Sequence, residues 1–131
     1  TGECVVNLTN RRLAYAADWC GVRSGRDHDK FSAMHLTPVS SAKIRAPGIL
    51  ESPVSIECHV TQCIKLGSHD MFIAEVLCVD VDAHYLDEKG RFDMKKADLL
   101  AYSHGEYFTL GEKIGKFGYS VAGKKRKSNV K

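Results

Sequence analysis

Hydrophobic positions follow a helical period near the start of the chain. A short apolar run at residues 4–8 predicts a buried strand, and Asn10 follows it where its side chain can cap a helix. Four small or apolar residues then recur at the spacing of one helix face, namely Leu13, Ala16, Ala17 and Cys20. Gly21 predicts the end of this helix. A second, short helix must end before Thr37-Pro38, because the residue before a proline is pushed out of helical geometry.

From residue 39 onward the period changes to two, which predicts strands. A long strand beginning at Val54 has one apolar face, made of Val54, Ile56, Cys58, Val60 and Ile64. Its other face is polar and carries Ser55, Glu57, His59 and Thr61. After a turn at residues 67–70, a strand from Met71 to Val81 places Phe72, Ala74, Val76 and Cys78 on one side. Its first half is apolar on both faces, as expected inside a closed barrel or beneath a partner subunit.

The remaining pattern predicts a turn at residues 87–90, a short helix from Met94 to Ala101 and a strand from Tyr107 to Leu110. The strands come as adjacent hairpins and do not alternate with long helices. This order favours a mainly β fold, either a barrel or an α+β domain, over a parallel nucleotide-binding sheet.

Composition places the chain among folded globular domains. Its 131 residues are 44% hydrophobic and 27% charged, which suits one domain with a core. No uncharged apolar run approaches the ~18 residues that cross a bilayer, so we expect no membrane partner. The start has neither the basic flank nor the long apolar stretch of a signal peptide. It also lacks an initiator Met and begins almost inside a strand, so we expect a processed or partial chain.

Charge is unevenly distributed. The formal net charge is +3, but Lys124, Lys125, Arg126, Lys127 and Lys131 fall in the last eight positions. The chain before them carries 14 basic and 16 acidic residues, a net charge of −2. A nucleic-acid-binding domain usually has its positive charge on the folded surface, so nucleic acid is not an expected partner. We interpret residues 122–131 as a basic, disordered tail.

The five cysteines indicate a reduced protein. Their number is odd and most lie inside predicted helix or strand interiors, which favours buried thiols and a cytoplasmic location. Cys58 and Cys63 have the spacing of a metal-binding pair, but a regular strand puts them on opposite faces. We therefore expect no zinc or iron–sulfur site.

Few local motifs suggest chemistry by themselves. Residues 118–124 approach a phosphate-binding loop, but Lys125 replaces the required Ser or Thr. One strand face would carry the alternating residues Asp80, Asp82 and His84. Such a set is either a metal-binding or acid–base cluster or, more commonly, a solvent-exposed polar face.

An ordered series of segments carries more information than any single motif. It runs through residues 5–8, 14–18, 24–25, 29–31 and 36–38, then 46–47, 51–54, 57–58, 67–76 and 110–118. This series resembles the flavin reductase-like, FMN-binding split-barrel family, and within it the flavoredoxin branch. The resemblance covers nearly all of residues 2–121. Residues 1–121 are then the C-terminal portion of the family domain.

The resemblance implies a six-stranded, Greek-key-like antiparallel barrel with short helices. It also implies a homodimer with FMN at or near the subunit interface. The family residues near the isoalloxazine ring correspond to Lys30 of Asp-Lys-Phe, His69 of the Gly-x-His turn and Tyr102. The family also has a segment ahead of Val5 that supplies the first barrel strands and several FMN contacts, and this sequence does not contain it.

The expected function is that of an FMN-binding oxidoreductase or electron-transfer protein. A cation such as Lys30 or protonated His69 near the ring would favour flavin reduction, and no protein nucleophile is required. The resemblance leaves two activities open: NAD(P)H-dependent flavin reduction, or electron exchange with a redox protein in the manner of a flavoredoxin. Two other interpretations remain, an inactive or incomplete split-barrel fragment and a small-barrel binding module. The latter needs exposed aromatics interleaved with Lys and Arg, whereas the strands here carry several acidic residues.

Overall fold

An antiparallel sheet of three strands dominates the computed structural model, which describes residues 1–122. Its order is β1 (Glu3–Leu8), β4 (Val54–Lys65) and β5 (Asp70–Val81). Two small sheets accompany it, one from β2 (Pro38–Val39) and β3 (Gly48–Ile49), the other from β6 (Leu100–Ser103) and β7 (Glu106–Thr109). The helices are short: α1 (Ala14–Val22), α2 (Lys30–Ala33), α3 (Met94–Ala97) and 3-10 turns at Arg11–Leu13 and Ala83–Tyr85. The mainly β class predicted from the sequence is confirmed.

Within residues 1–122, no helix is both long enough and apolar enough to cross a membrane. The predicted basic tail lies, from residue 123 onward, outside the described residues.

The first helix begins as the sequence predicts. The Asn10 side-chain oxygen accepts hydrogen bonds from the backbone N–H groups of Arg12 (3.1 Å) and Leu13 (3.3 Å). The first turn is 3-10, and α1 then continues to Val22, one residue beyond the predicted end. Asn10 also donates to the hydroxyl of Tyr85 at 3.3 Å, which ties this corner to the core.

The core lies between the end of β1 and the segment that follows β5. It is formed by Tyr85, Ala97 and Leu99, with Leu8 and Phe92 packed against them. A single antiparallel bridge joins Asn10 to Leu99. The core therefore anchors α1 next to the hairpin of β6 and β7, and this anchoring positions the candidate site.

Two irregularities in the β4–β5 pairing correct the predicted faces. The register skips Leu77 on β5 and Thr61 on β4. Because an extra residue reverses the alternation of side chains, Val76 and Cys78 point to opposite faces, contrary to the sequence prediction. The same effect puts Cys58 and Cys63 on one face, although about 13 Å of strand separates them and no single metal ion could join them.

Two further predictions need correction near the end of β5. The strand ends at Val81, Asp82 caps the following 3-10 turn and His84 lies within that turn, so Asp80, Asp82 and His84 do not share a strand face. The helix predicted to reach Ala101 ends at Ala97, because Asp98 adopts a left-handed conformation with φ of 48°. Residues 100–103 become β6 instead, whereas the strand predicted near Tyr107 is present as β7.

Candidate functional site

Lys30 is held at the C-terminal end of α1. It is the first residue of α2, where the Asp29 carboxylate caps the helix by accepting from the backbone N–H groups of Phe31 (3.1 Å) and Ser32 (3.3 Å). The Lys30 ammonium group donates to the carbonyl oxygen of Cys20 at 2.6 Å. A cation at this end of a helix is favourable, because the last carbonyl groups carry partial negative charge. The ammonium group has three donors, so this contact leaves others for a ligand.

Tyr102 lies on β6, in a pair of aromatic residues that faces solvent. It stands opposite Tyr107 in the register of β6 and β7, and the two ring centroids are 5.0 Å apart. Tyr102 is 67% exposed, so much of its ring is open to a ligand. The Tyr107 hydroxyl donates to the Asp18 carboxylate of α1 at 3.1 Å. Burial and the Asp18 hydrogen bond raise the pKa of Tyr107, which keeps this hydroxyl protonated as a donor.

These contacts tie Lys30, and the tyrosine pair through Tyr107, to the C-terminal half of α1, although no hydrogen bond or ring contact joins Lys30 to Tyr102 within residues 1–122. Lys30 is attached to α1 at Cys20, and the tyrosine pair is attached at Asp18. We call these five residues (Asp18, Cys20, Lys30, Tyr102 and Tyr107) the α1-end cluster. It contains a cation and exposed aromatic surface from three stretches of the sequence, residues 18–20, Lys30 and residues 102–107.

His69 lies elsewhere, in the turn between β4 and β5. The Leu66 N–H donates to the His69 carbonyl at 2.9 Å, Ser68 Oγ is 2.8 Å from His69 Nδ1, and Lys65 pairs with Asp70 across the strand ends. The two strands extend about 35 Å from their inner end to this turn. Within residues 1–122, no hydrogen bond or ring contact joins His69 to Lys30 or Tyr102. A single chain therefore does not assemble all three predicted residues.

Glu57 is a polar residue whose environment the sequence analysis missed. The alternation places it on a polar face, yet it is only 1% exposed. Its two carboxylate oxygens accept from the backbone N–H groups of Ala42 (2.6 Å) and Lys43 (2.7 Å). Cys78 and Asp80 lie beside it, and these three are the one group of metal-type ligands found in the described chain. Because backbone N–H groups of the loop at residues 40–46 donate to both Glu57 oxygens, Glu57 holds this loop against β4.

The larger of two cavities lies away from the predicted residues. It has a volume of about 390 Å³ and lies between the N-terminal half of α1 and residues 34–36. Arg12, Tyr15 and Ala16 line one side, and Met34, His35 and Leu36 line the other. Lys30, His69 and Tyr102 line neither of these two cavities.

Comparison with known proteins gives consistent results. Residues 1–111 match the family described as "Flavin reductase like domain". An uncharacterized protein of Archaeoglobus fulgidus is 31% identical over 108 residues, which are 82% of this chain and 60% of that protein. The structure of a flavoredoxin of Desulfovibrio vulgaris has a TM-score of 0.81 and 32% identity, covering 88% of this chain and 62% of that one. A flavoredoxin from Methanosarcina acetivorans has a TM-score of 0.80 and 27% identity, covering 92% and 66%. This chain thus spans about 60% of the length of the first two relatives.

Proposed function

Because the chain belongs to the flavin reductase-like domain family, we propose that it contributes to an FMN-binding oxidoreductase or electron-transfer protein. The observation that carries this proposal is the α1-end cluster, in which a cation and an exposed aromatic pair are each tied to the C-terminal half of α1. The similarity to two flavoredoxins supports the same chemistry.

The side chains of the α1-end cluster suit a flavin. When bound, a flavin supplies one- and two-electron transfer at its isoalloxazine ring. Reduction adds negative charge to the ring, and the Lys30 ammonium group would stabilise that charge. The exposed ring of Tyr102 offers an apolar face against which a planar ring can pack.

A second copy of the chain completes the proposed site. The first half of β5 exposes large apolar side chains on both faces, among them Phe72, which is 61% exposed. A twofold partner would cover this surface, and FMN would lie near the interface. The exposed His69 turn is then free to approach the flavin held against the other subunit.

FMN titration tests the binding proposal. We expect the native protein that contains this sequence to quench FMN fluorescence on binding and to turn yellow.

Lys30→Ala should make the bound flavin harder to reduce. Its midpoint potential should shift by about 30 mV, which is equivalent to a tenfold change in a two-electron equilibrium. Lys30→Arg keeps the charge and should restore most of the shift, and Lys89→Ala, in a distant turn, is the matched control. Failure of the intact protein to bind FMN would overturn the proposal, and an unchanged potential in Lys30→Ala would remove Lys30 from the site.

The electron donor distinguishes the two activities that remain open. We favour a flavoredoxin-like carrier in the cytoplasm, which exchanges electrons with a redox protein, because two flavoredoxins are among the similar structures. Mixing the FMN-loaded protein anaerobically with NADH or NADPH tests this choice. A carrier is reduced slowly by both nucleotides and rapidly by a protein donor, whereas rapid reduction by either nucleotide identifies a flavin reductase.

A further inference from the structure

Two of the five cysteines stand directly opposite each other in the central sheet. β1 and β4 pair without interruption from Glu3 opposite His59 to Leu8 opposite Val54, and Cys4 faces Cys58 within this ladder. Residues that are directly opposite in an antiparallel pair project to the same face. Both cysteines are free thiols in the structure.

The Cα spacing expected at this pair falls within the range of disulfides. The Val60 N–H donates to the Gly2 carbonyl at 2.7 Å, so Gly2 and Val60 form a hydrogen-bonded pair of the ladder. Hydrogen-bonded pairs recur at every second residue, which makes Cys4 and Cys58 the next such pair. The Cα atoms of such pairs are about 5.5 Å apart, within the range of about 4.4–6.8 Å found for disulfides. The Cβ atoms of directly opposite residues are about 4.5–5.5 Å apart, against about 3.5–4.5 Å in a disulfide, so closing the bond draws the two strands together by about 1 Å.

The surroundings of the two thiols differ. Cys58 is 5% exposed, whereas Cys4 is half-buried. Burial and the neighbouring Cys4 thiol raise the pKa of Cys58, which makes it the poorer nucleophile at neutral pH. The register pairs neither Cys63 nor Cys78 with another cysteine: Cys63 is opposite Phe72, and Cys78 is opposite Glu57.

We propose that Cys4 and Cys58 form a reversible intramolecular disulfide that joins β1 to β4. This proposal does not rest on flavin binding. The oxidant is a low-molecular-weight disulfide. The Cys4 thiolate attacks one of its sulfurs, its S–S bond breaks, and one small thiol leaves. Cys58, after losing its proton, attacks the Cys4 sulfur of the mixed disulfide and releases the second small thiol. The two protein thiols lose two electrons and two protons, and the small disulfide is reduced to two thiols.

Peptide mapping of the oxidised protein tests this proposal. The folded protein is incubated with oxidised glutathione, its remaining thiols are alkylated, and it is digested with trypsin without reduction. We expect a cross-link between peptide 1–11, which contains Cys4, and peptide 46–65, which contains Cys58. The second peptide also contains Cys63, so the experiment is repeated in Cys63→Ser, where the same cross-link must persist.

Matched variants separate this bond from adventitious oxidation. The cross-link should disappear in Cys4→Ser and remain in Cys78→Ser, and excess reduced glutathione should reverse it in the wild-type protein.

The oxidised Cys63→Ser protein should also melt at a higher temperature than its reduced form. The variant Cys4→Ser/Cys63→Ser should show no such difference between its oxidised and reduced forms. A cross-link through any other cysteine, a persistent glutathione adduct on Cys4, or an unlinked protein after full exposure to oxidant would each overturn the proposal. None of these experiments uses a substitution of the buried Cys58, so they do not depend on the folding of a Cys58 variant.

Discussion

Buried polar side chains connect segments that lie far apart in the sequence, as Asn10 and Glu57 illustrate. Asn10 joins the start of the first helix to Tyr85, and Glu57 joins β4 to the loop at residues 40–46. In both cases a side-chain oxygen satisfies backbone N–H groups that would otherwise lack partners. Single substitutions at these positions should therefore affect more than their own element.

Asn10→Ala should destabilise the fold by about 2 kcal/mol, because it removes both the helix cap and the hydrogen bond to Tyr85. Tyr85→Phe removes only the latter bond and should cost about 1 kcal/mol. Denaturant unfolding measures both effects, and Tyr15→Phe at an exposed position of α1 is the control. Equal stabilities for Asn10→Ala and the wild-type protein would contradict this role of Asn10.

Glu57 should make stability sensitive to acid. Burial acts to raise the pKa of Glu57, but the backbone N–H groups of Ala42 and Lys43 outweigh it, and the pKa is lowered below its ordinary value of 4.5. Because the folded pKa is depressed, the stabilisation is fully present above 4.5 and is lost as the pH falls through the lower folded value.

Unfolding measured from pH 7 down to pH 3 should show this loss in the wild-type protein. Glu57→Gln should be less stable at pH 7 by several degrees in melting temperature, and its stability should fall less steeply below pH 4.5. Glu75→Gln, at an exposed position of the same hairpin, should follow the wild-type curve. Parallel curves for Glu57→Gln and the wild-type protein would argue against an ionised Glu57.

The sequence predicts the capping role of Asn10 but not the burial of Glu57, and the reason is physical. A helix cap is a local interaction, and Asn followed by a helical apolar pattern is enough to recognise it. The burial of Glu57 depends on a loop about 15 residues earlier in the chain folding over its face of the sheet. Strand alternation contains no information about that loop. Lys30 and Tyr102 likewise come from the family resemblance, and only the structure shows Lys30 bound to α1 and Tyr102 paired with Tyr107, which binds α1.

Among the elements, the β6–β7 hairpin matters most for the candidate site, because it presents Tyr102. Its turn consists of His104 and Gly105, with φ angles of 54° and 83°. Two consecutive positive φ angles are typical of a type I′ turn, which favours Asn-Gly. The apolar pattern does not predict β6, the first strand of this hairpin, because Leu99 and Leu100 continue a helical spacing after α3. The left-handed Asp98 ends that helix, and nothing in the periodicity reveals it.

Substitutions in this turn should change the stability of the hairpin in opposite directions. His104→Asn should stabilise the turn, and Gly105→Ala should destabilise it by about 1 kcal/mol, because an L-residue is strained at that φ. Hydrogen exchange of the amides in residues 100–103 and 106–109 measures both effects. Gly111→Ala is the control, since its added methyl group meets no atom within 4 Å and its φ is not positive. Faster exchange in His104→Asn would contradict the assigned turn.

At the scale of the whole molecule, the described residues 1–122 leave β5 of the central sheet largely exposed. The described strands form three separate sheets, and β5 is the edge of the largest, with Phe72, Val76 and Val79 exposed on one face. The apolar pattern of β5 predicts a strand covered by a closed barrel or a partner subunit, whereas the described residues of one chain leave it exposed. The family resemblance predicts the split-barrel fold, which the similar structures confirm. Neither indicates that His69 and the α1-end cluster remain apart within a single chain.

A charge on this exposed face should disrupt the proposed dimer. Val76→Lys should convert the dimer to monomer and weaken FMN binding at least tenfold, because a buried ammonium group without a partner is strongly unfavourable. Analytical ultracentrifugation and FMN titration measure the two effects. Val121→Lys, an exposed apolar position outside the sheet, is the matched control. A Val76→Lys protein that remains dimeric and binds FMN normally would show that this face is not the interface.

The chain segments that connect neighbouring strands of the central sheet differ greatly in length, and this difference should set the order in which the strands pair during folding. β4 and β5 are joined by a four-residue turn, whereas β1 reaches β4 only after the chain has closed the stretch from residue 9 to residue 53. Because closing the longer loop costs more chain entropy, the hairpin should form in the folding transition state and β1 should join late. Substitutions in the hairpin should therefore slow folding, whereas those in β1 should mainly speed unfolding.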